Sequence, residues 1–256
     1  MTNQPHNNIQ LHVCENRLTL GKAAAKAVAT TINYLLANQQ EVNMVFAAAP
    51  SQNEFLAALI EEDIDWACIN AFHMDEYIGL YDASQATFAY YLKTHLFNHV
   101  QCKQVNYIQG NNDAETECNR YITLLQKYPT DIVCMGIGEN NHIAFNDPPV
   151  ANFIDPESVK IVQLDADCRQ QQVNDGCFPT LADVPTHAIT LTVPALLNCK
   201  YIFCMVPGER KANAVYHTLN SEVSEEYPST ALRIHGAVQM FVDRDSAKLI
   251  GVNNQS

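Results

Sequence analysis

Apolar residues fall along this chain in two alternating patterns: short continuous runs, and longer segments with apolar positions at helical spacing. The first reads as buried strands and the second as amphipathic helices. Residues 21–36, rich in alanine, predict a helix, and residues 42–48 a buried strand ending in a turn. Ser51 opens a second helix, with Glu54 placed as its capping-box partner. Residues 66–72 predict a strand, 86–97 a helix, 105–108 a short strand, 114–126 a helix, and 132–135 a strand that stops at Gly136. A polar, irregular stretch follows. Then come a strand over 159–162, a polar, turn-rich segment over 165–184, strands over 187–192 and 201–206, a helix over 209–219 and a last strand over 237–242.

This β-α-β order predicts an α/β fold: a mostly parallel, doubly wound sheet with helices on both faces, forming a single domain over residues 1–256. No repeat at a fixed period and no linker rich in Pro, Gly or Ser divides it. In such sheets ligands bind beyond the carboxyl ends of the strands. Functional residues are therefore expected just after the strands.

Composition narrows the class. An apolar fraction of 47% excludes general disorder, and no run approaches the ~20 residues of a membrane helix. The first six residues lack a basic start and an apolar stretch, so no secretory signal is predicted and a soluble, cytoplasmic protein is expected. With 15 basic and 28 acidic residues the net charge is −13, which argues against a broad nucleic-acid or anionic-membrane surface. A small anion can still be held by helix N-termini and a few local cations. The nine cysteines form no C-x-x-C pair, so neither a disulfide framework nor a metal site is expected.

Three strand ends carry candidate chemistry. Residues 47–52, with Ala48, Ala49 and Ser51, form a turn whose small side chains let backbone amides approach an anion; close packing is the alternative. Asp75 and Glu76 are adjacent carboxylates directly after a buried strand, where neighbouring charge and burial raise a pKa as a general base requires. By spacing alone a solvated loop or helix cap weighs equally. The third is Gly136-Ile-Gly-Glu-Asn-Asn-His-Ile-Ala-Phe-Asn-Asp-Pro148, in which His142, titrating near neutrality, has Asn140 and Asp147 as potential orienting partners.

Together with Phe72-His-Met-Asp-Glu-Tyr-Ile-Gly-Leu80, this last motif resembles the glucosamine-6-phosphate deaminase/isomerase family, which is related to the 6-phosphogluconolactonases. The resemblance runs from about residue 42 to residue 242, and the His-Ile-Ala-Phe-Asn-acidic-Pro run favours the deaminase branch. It implies a cofactor-free enzyme converting a hexosamine 6-phosphate to fructose 6-phosphate and ammonia. Asp75 then matches the base that moves a proton between C2 and C1, His142 the residue that opens the sugar ring, and Asp147 an acidic group supporting it. Lys211 matches a phosphate-contacting lysine, residues 48–51 the phosphate loop, Glu76 a further substrate-binding position, and 165–184 a mobile lid.

Departures are as informative as matches. Asn140 stands where the family has an aspartate that pairs with the histidine, and Asn141 where it has a glycine. The phosphate loop reads Ala-Ala-Ala-Pro-Ser, and the lid has no clear counterpart of the family's phosphate-binding arginine; Arg169 and the Gln171–Gln172 pair are the nearest candidates. The chain ends at Ser256, before the C-terminal helices of the allosteric hexamers, so a monomer or small homo-oligomer without activation by N-acetylglucosamine 6-phosphate is expected. Other readings are a galactosamine 6-phosphate isomerase/deaminase, a 6-phosphogluconolactone hydrolase in which the histidine activates water, and a non-catalytic sugar-phosphate sensor.

Overall fold

The computed structural model describes residues 8–81 and 84–251; the first six residues and the chain end at 256, on which two of the expectations rest, lie outside them. Seven strands form one all-parallel sheet in the order β1-β10-β9-β6-β2-β3-β5. They are β1 (Ile9–Cys14), β2 (Val42–Phe46), β3 (Ile69–His73), β5 (Gln104–Asn106), β6 (Ile132–Met135), β9 (Tyr201–Val206) and β10 (Val238–Asp243). A second, antiparallel sheet has the order β4-β8-β7, with β4 (Asp75–Tyr77), β7 (Val159–Gln163) and β8 (His187–Leu191).

Strand alternation divides the core. Met44 and Phe46 of β2 join one buried cluster, with α1 (Arg17–Leu36), α2 (Asn53–Ile60) and α3 (Phe88–Leu92). Val45 and Ala47 face another, with α4 (Ala114–Lys127), α6 (Val193–Leu197) and α7 (Ala212–Asn220). The helices thus cover both faces, as a parallel sheet requires. Helix α1 begins four residues earlier than the apolar pattern, because Asn16 and Thr19 exchange side-chain and backbone hydrogen bonds in a capping box. Gly21 lets it close on α2; a β-carbon there would lie 2.5 Å from the Glu54 backbone.

Several expectations are corrected. The capping box at Ser51 does not form: residues 50–52 make a 3₁₀ turn, α2 starts at Asn53 without a side-chain cap, and Glu54 binds Arg17 instead. Residues 66–68 are a 3₁₀ turn rather than strand. Helix α3 runs on as a π-helical turn, Lys93–Phe97. The segment 165–184 holds a nine-residue helix, α5 (Ala166–Asn174), started by Asp165 accepting from the Cys168 amide. No helix among the described residues is long and apolar enough to cross a membrane.

Candidate active site

The chain changes sheets at Met74, whose amide donates to Phe46 in β2 and whose carbonyl accepts from Leu191 at the end of β8. This junction places Asp75, the first residue of β4, in a cavity of about 220 Å³ beyond the ends of β2, β6 and β9. Asp75 is 7% exposed. Burial, then the adjacent Glu76 and the nearby Asp147, push its carboxyl well above the ordinary range, making it a stronger base once ionised.

Glu76 does not line this cavity. One position along the strand its side chain leaves on the other face, where the carboxylate accepts from the amides of Tyr77, Phe88 and Ala89, two of them at the start of α3. Burial pushes its pKa up to about 7 despite those three amides, which pull it down. The helix-cap reading therefore holds for Glu76, while its neighbour faces the cavity.

The loop after β6 turns back on itself through Gly138 N donating to His142 O (2.8 Å) and Asn141 N to Gly138 O (3.1 Å). Asn141 (φ 69°) and Ala144 (φ 47°) are both left-handed, the former as an asparagine tolerates. The His142 ring lies directly on Gly138: a β-carbon at that glycine would sit 2.2 Å from Cε1. His142 Nδ1 has Asn140 Oδ1 at 2.7 Å and Asp147 Oδ1 at 3.0 Å, and Asn140 Nδ2 donates to Asp147 Oδ1 at 2.9 Å. The amide at 140 therefore orients the ring, and the negative charge beside it comes from Asp147. Burial pushes the Asp147 carboxyl up, but the His142 ring and hydrogen bonds from His142, Asn140 and the Cys168 thiol hold it below its ordinary value.

Two further anchors fix this loop. Asn146 Nδ2 donates to Leu191 O (2.8 Å) and Phe145 N to Thr190 Oγ1 (3.1 Å), tying it to β8. Asn141 Nδ2 lies within 2.8 Å of both Ala214 O and Ser229 Oγ and 3.3 Å from Thr218 Oγ1, tying it to α7 and to the 3₁₀ turn over Pro228–Arg233.

At the other end of the cavity stand Ala48, Ala49, Ser51 and Gln52, the turn at Gly208, and Arg17, Arg210 and Lys211. Gln52 is buried and donates to Ser51 Oγ (3.1 Å); Gly136 leaves room for this pair. Gly208 (φ 94°) donates its amide to both oxygens of Asp243, which sets the chain into the 3₁₀ turn carrying Lys211. Burial pushes the Lys211 ammonium below its ordinary value, against the pull of Asp175 and Glu139, so an arriving anion favours its charged form. Gln171 and Gln172 of α5 and Asp175, which follows it as the C-terminal cap, close one side; Gln171 Oε1 accepts from Glu139 N at 3.0 Å.

Of the residues singled out from sequence, Asp75, His142, Ala48, Ala49, Ser51 and Lys211 line one cavity, and Asn140 and Asp147 stand directly behind His142. Arg169 does not reach it: its guanidinium donates to the carbonyls of Leu181 and Val184, closing the 165–184 segment on itself. Gln52, the last residue of the 47–52 turn, lines the cavity as well, and sequence reasoning missed Arg17 and Asp175 as cavity residues. His142, Asp147 and Cys168 also bring one donor atom each within 4.8 Å of one another, the one group of metal-ligating type among the described residues. Within it Asp147 Oδ1 lies 3.0 Å from His142 Nδ1, and the Cys168 thiol hydrogen-bonds the Asp147 carboxylate.

A family model described as Glucosamine-6-phosphate isomerases/6-phosphogluconolactonase matches residues 15–240. The chain belongs to that family. Among glucosamine-6-phosphate isomerase/6-phosphogluconolactonase proteins, it is 32% identical over 244 residues to the glucosamine-6-phosphate deaminase of Listeria welshimeri, a match spanning 94% of this chain and 100% of that protein. Among solved structures, a monomeric glucosamine-6-phosphate deaminase superposes with a TM-score of 0.86 at 29% identity, covering 94% of this chain and 99% of the other. The 6-phosphogluconolactonase of Thermotoga maritima superposes with a TM-score of 0.75 at 19% identity, covering 92% and 99%, and so shares the fold.

Proposed function

We propose that this chain is a glucosamine-6-phosphate deaminase, converting glucosamine 6-phosphate and water to fructose 6-phosphate and ammonia. The observation that carries the reading is a buried, strongly basic carboxylate and a carboxylate-paired histidine facing one cavity whose other end is lined by cations. The 32% identity to a named deaminase over nearly the whole chain supports it.

In this reading the substrate's phosphate sits between Ser51, the amides of the 48–51 turn and Lys211, which holds C1 and C2 at the far end. His142, oriented through Nδ1 by Asn140 and Asp147, has Nε2 free of protein partners among the described residues and passes a proton between the ring oxygen and the C1 hydroxyl, opening the ring. Asp75 takes the proton from C2 of the open-chain aldehyde as O1 gains a proton, giving an enolamine; the carboxyl then returns its proton at C1 while the nitrogen gives up one, which balances the proton taken up by O1. The resulting C2 imine adds water and loses ammonia, leaving the 2-ketose. Every proton removed is returned, and no oxidant or cofactor is consumed. The segment 165–184 opens to admit substrate, because α5 closes one side of the cavity. The chain acts in the cytoplasm as a monomer or small homo-oligomer, a state that a solved relative shares as a monomer.

Ammonium release coupled to fructose 6-phosphate formation tests the proposal, with glucosamine and galactosamine 6-phosphates assayed side by side. Turnover of the gluco epimer is expected. Turnover of the galacto epimer alone would change the substrate. Turnover of neither by folded protein, with hydrolysis of 6-phosphogluconolactone, would replace deamination by the lactonase reaction.

A further inference from the structure

The lid's expected arginine is engaged elsewhere, yet the cavity contains a guanidinium from the start of α1. Arg17 starts α1, far in sequence from every other cavity residue, and lines the cavity beside the 48–51 turn and Gly208. Its fork is held on one edge: Nε donates to Glu54 Oε1 (2.8 Å), and Nη2 donates to Glu54 Oε2 and Pro50 O (both 2.9 Å). A guanidinium has five N–H donors. Three are used here, and the two on Nη1 have no partner among the described residues. Nη1 is also the one heavy atom within 4 Å of where a Gly208 side chain would begin, at 3.8 Å. It therefore looks onto the open surface of the turn that carries Lys211. The other cavity arginine, Arg210, is paired with Asp175 and lies 3.4 Å from Glu139.

We propose that Arg17 binds the substrate's phosphate through Nη1, opposite Lys211, and so supplies the guanidinium that Arg169 does not. The inference rests on the sugar-phosphate reading of the cavity. Glu54 and Pro50 do not compete for this contact. They fix the plane of the fork before the ligand arrives, so little side-chain freedom is lost on binding. The same clamp explains why Glu54 is absent from the cap of α2.

The test compares wild type with Arg17→Met and Arg17→Lys. It measures KM and kcat for the hexosamine 6-phosphate, the inhibition constant of inorganic phosphate, and the rise in melting temperature that inorganic phosphate confers. Arg17→Met is expected to raise both KM and the phosphate inhibition constant by about 10- to 100-fold, the range for losing one charge-assisted contact, with kcat within about 3-fold. Arg17→Lys, which keeps the charge and loses the fork, should fall between, and it carries the test if the methionine variant does not fold. An unchanged phosphate constant in both variants overturns the proposal, as does a fall in kcat with that constant unmoved, which would make Arg17 a brace for the turn. No phosphate protection of wild type also counts against it. If phosphate protection falls in the variants but wild type turns over no hexosamine phosphate, Arg17 stands and the reaction assignment fails.

Discussion

The two ends of the cavity are built on different principles. At one end Asp75, His142 and Asp147 are 7%, 9% and 2% exposed, and burial and neighbouring charge shift the carboxyls in opposite directions. At the other end the cations come from helix starts and turns: the Arg17 side chain is 42% exposed and held in position by Glu54 and Pro50, and Lys211 is half-buried. Proton transfer needs groups whose basicity differs from that in water, and burial beside chosen neighbours produces this. Holding a dianion needs donors that are aimed before the ligand arrives, as the Glu54 and Pro50 clamp aims the Arg17 fork. Substitutions at the two ends should therefore separate kcat from KM.

The largest effect is expected at Asp75. Asp75→Asn should lower kcat by roughly 10³-fold or more, with phosphate inhibition unchanged. In wild type, kcat/KM should rise with pH through a value well above the ~4 of an ordinary carboxylate, since the base works only when ionised. An acid limb near ~4 would remove Asp75 from this role. Next is Asp147→Asn, which keeps an acceptor for Nδ1 but removes the charge: kcat should fall roughly 10- to 100-fold with KM little changed. Wild-type kcat in that variant would show that Asn140 orients His142 unaided.

The smallest effect sharpens the contrast, because Glu76 is as buried as Asp75 but faces away from the cavity. Its folded pKa of about 7 lies above the unfolded value, so the native state holds the extra proton. That contribution is present below the unfolded pKa and is lost as pH rises through about 7. Wild type should lose on the order of 2 kcal/mol from this group between about pH 4.5 and pH 7.5. In Glu76→Gln the slope should flatten, as read by denaturant unfolding across that range, with kcat changed less than a few fold.

Much of this architecture was legible because fully buried parallel strands are continuous apolar runs: β2, β3, β6 and β9 announce themselves, and the motifs after them mark Asp75 and His142. What escaped had no such local signal. The edge strand β1 is largely exposed beyond Ile9, so its pattern is mixed. β4 is three residues long and belongs to a sheet whose other strands lie more than eighty residues away. The polar composition of α5 conceals a helix whose buried residues are Cys168 and Gln172. Ser51 and Glu54 have the spacing of a capping box, but a tertiary partner 37 positions away takes the glutamate. A pairing of that range leaves no trace in a local pattern, so Arg17 was missed and Arg169 named in its place. Asp75 and Glu76 could not be told apart by spacing, because only the direction of β4 decides which of the two meets the cavity.

The tie between Asn141 and α7 gives the cavity a fixed length. Helix α7 follows directly on the turn that carries Lys211, and the asparagine fastens the loop of His142 to it through Ala214 and Thr218, and to the 3₁₀ turn over Pro228–Arg233 through Ser229. The two functional ends are thereby set at one spacing, like the jaws of a locked caliper. On the proposed reading a ligand is selected by its span as well as by its groups, and a sugar phosphate one carbon shorter is expected to engage either the cations or the Asp75–His142 pair, at the expense of the other.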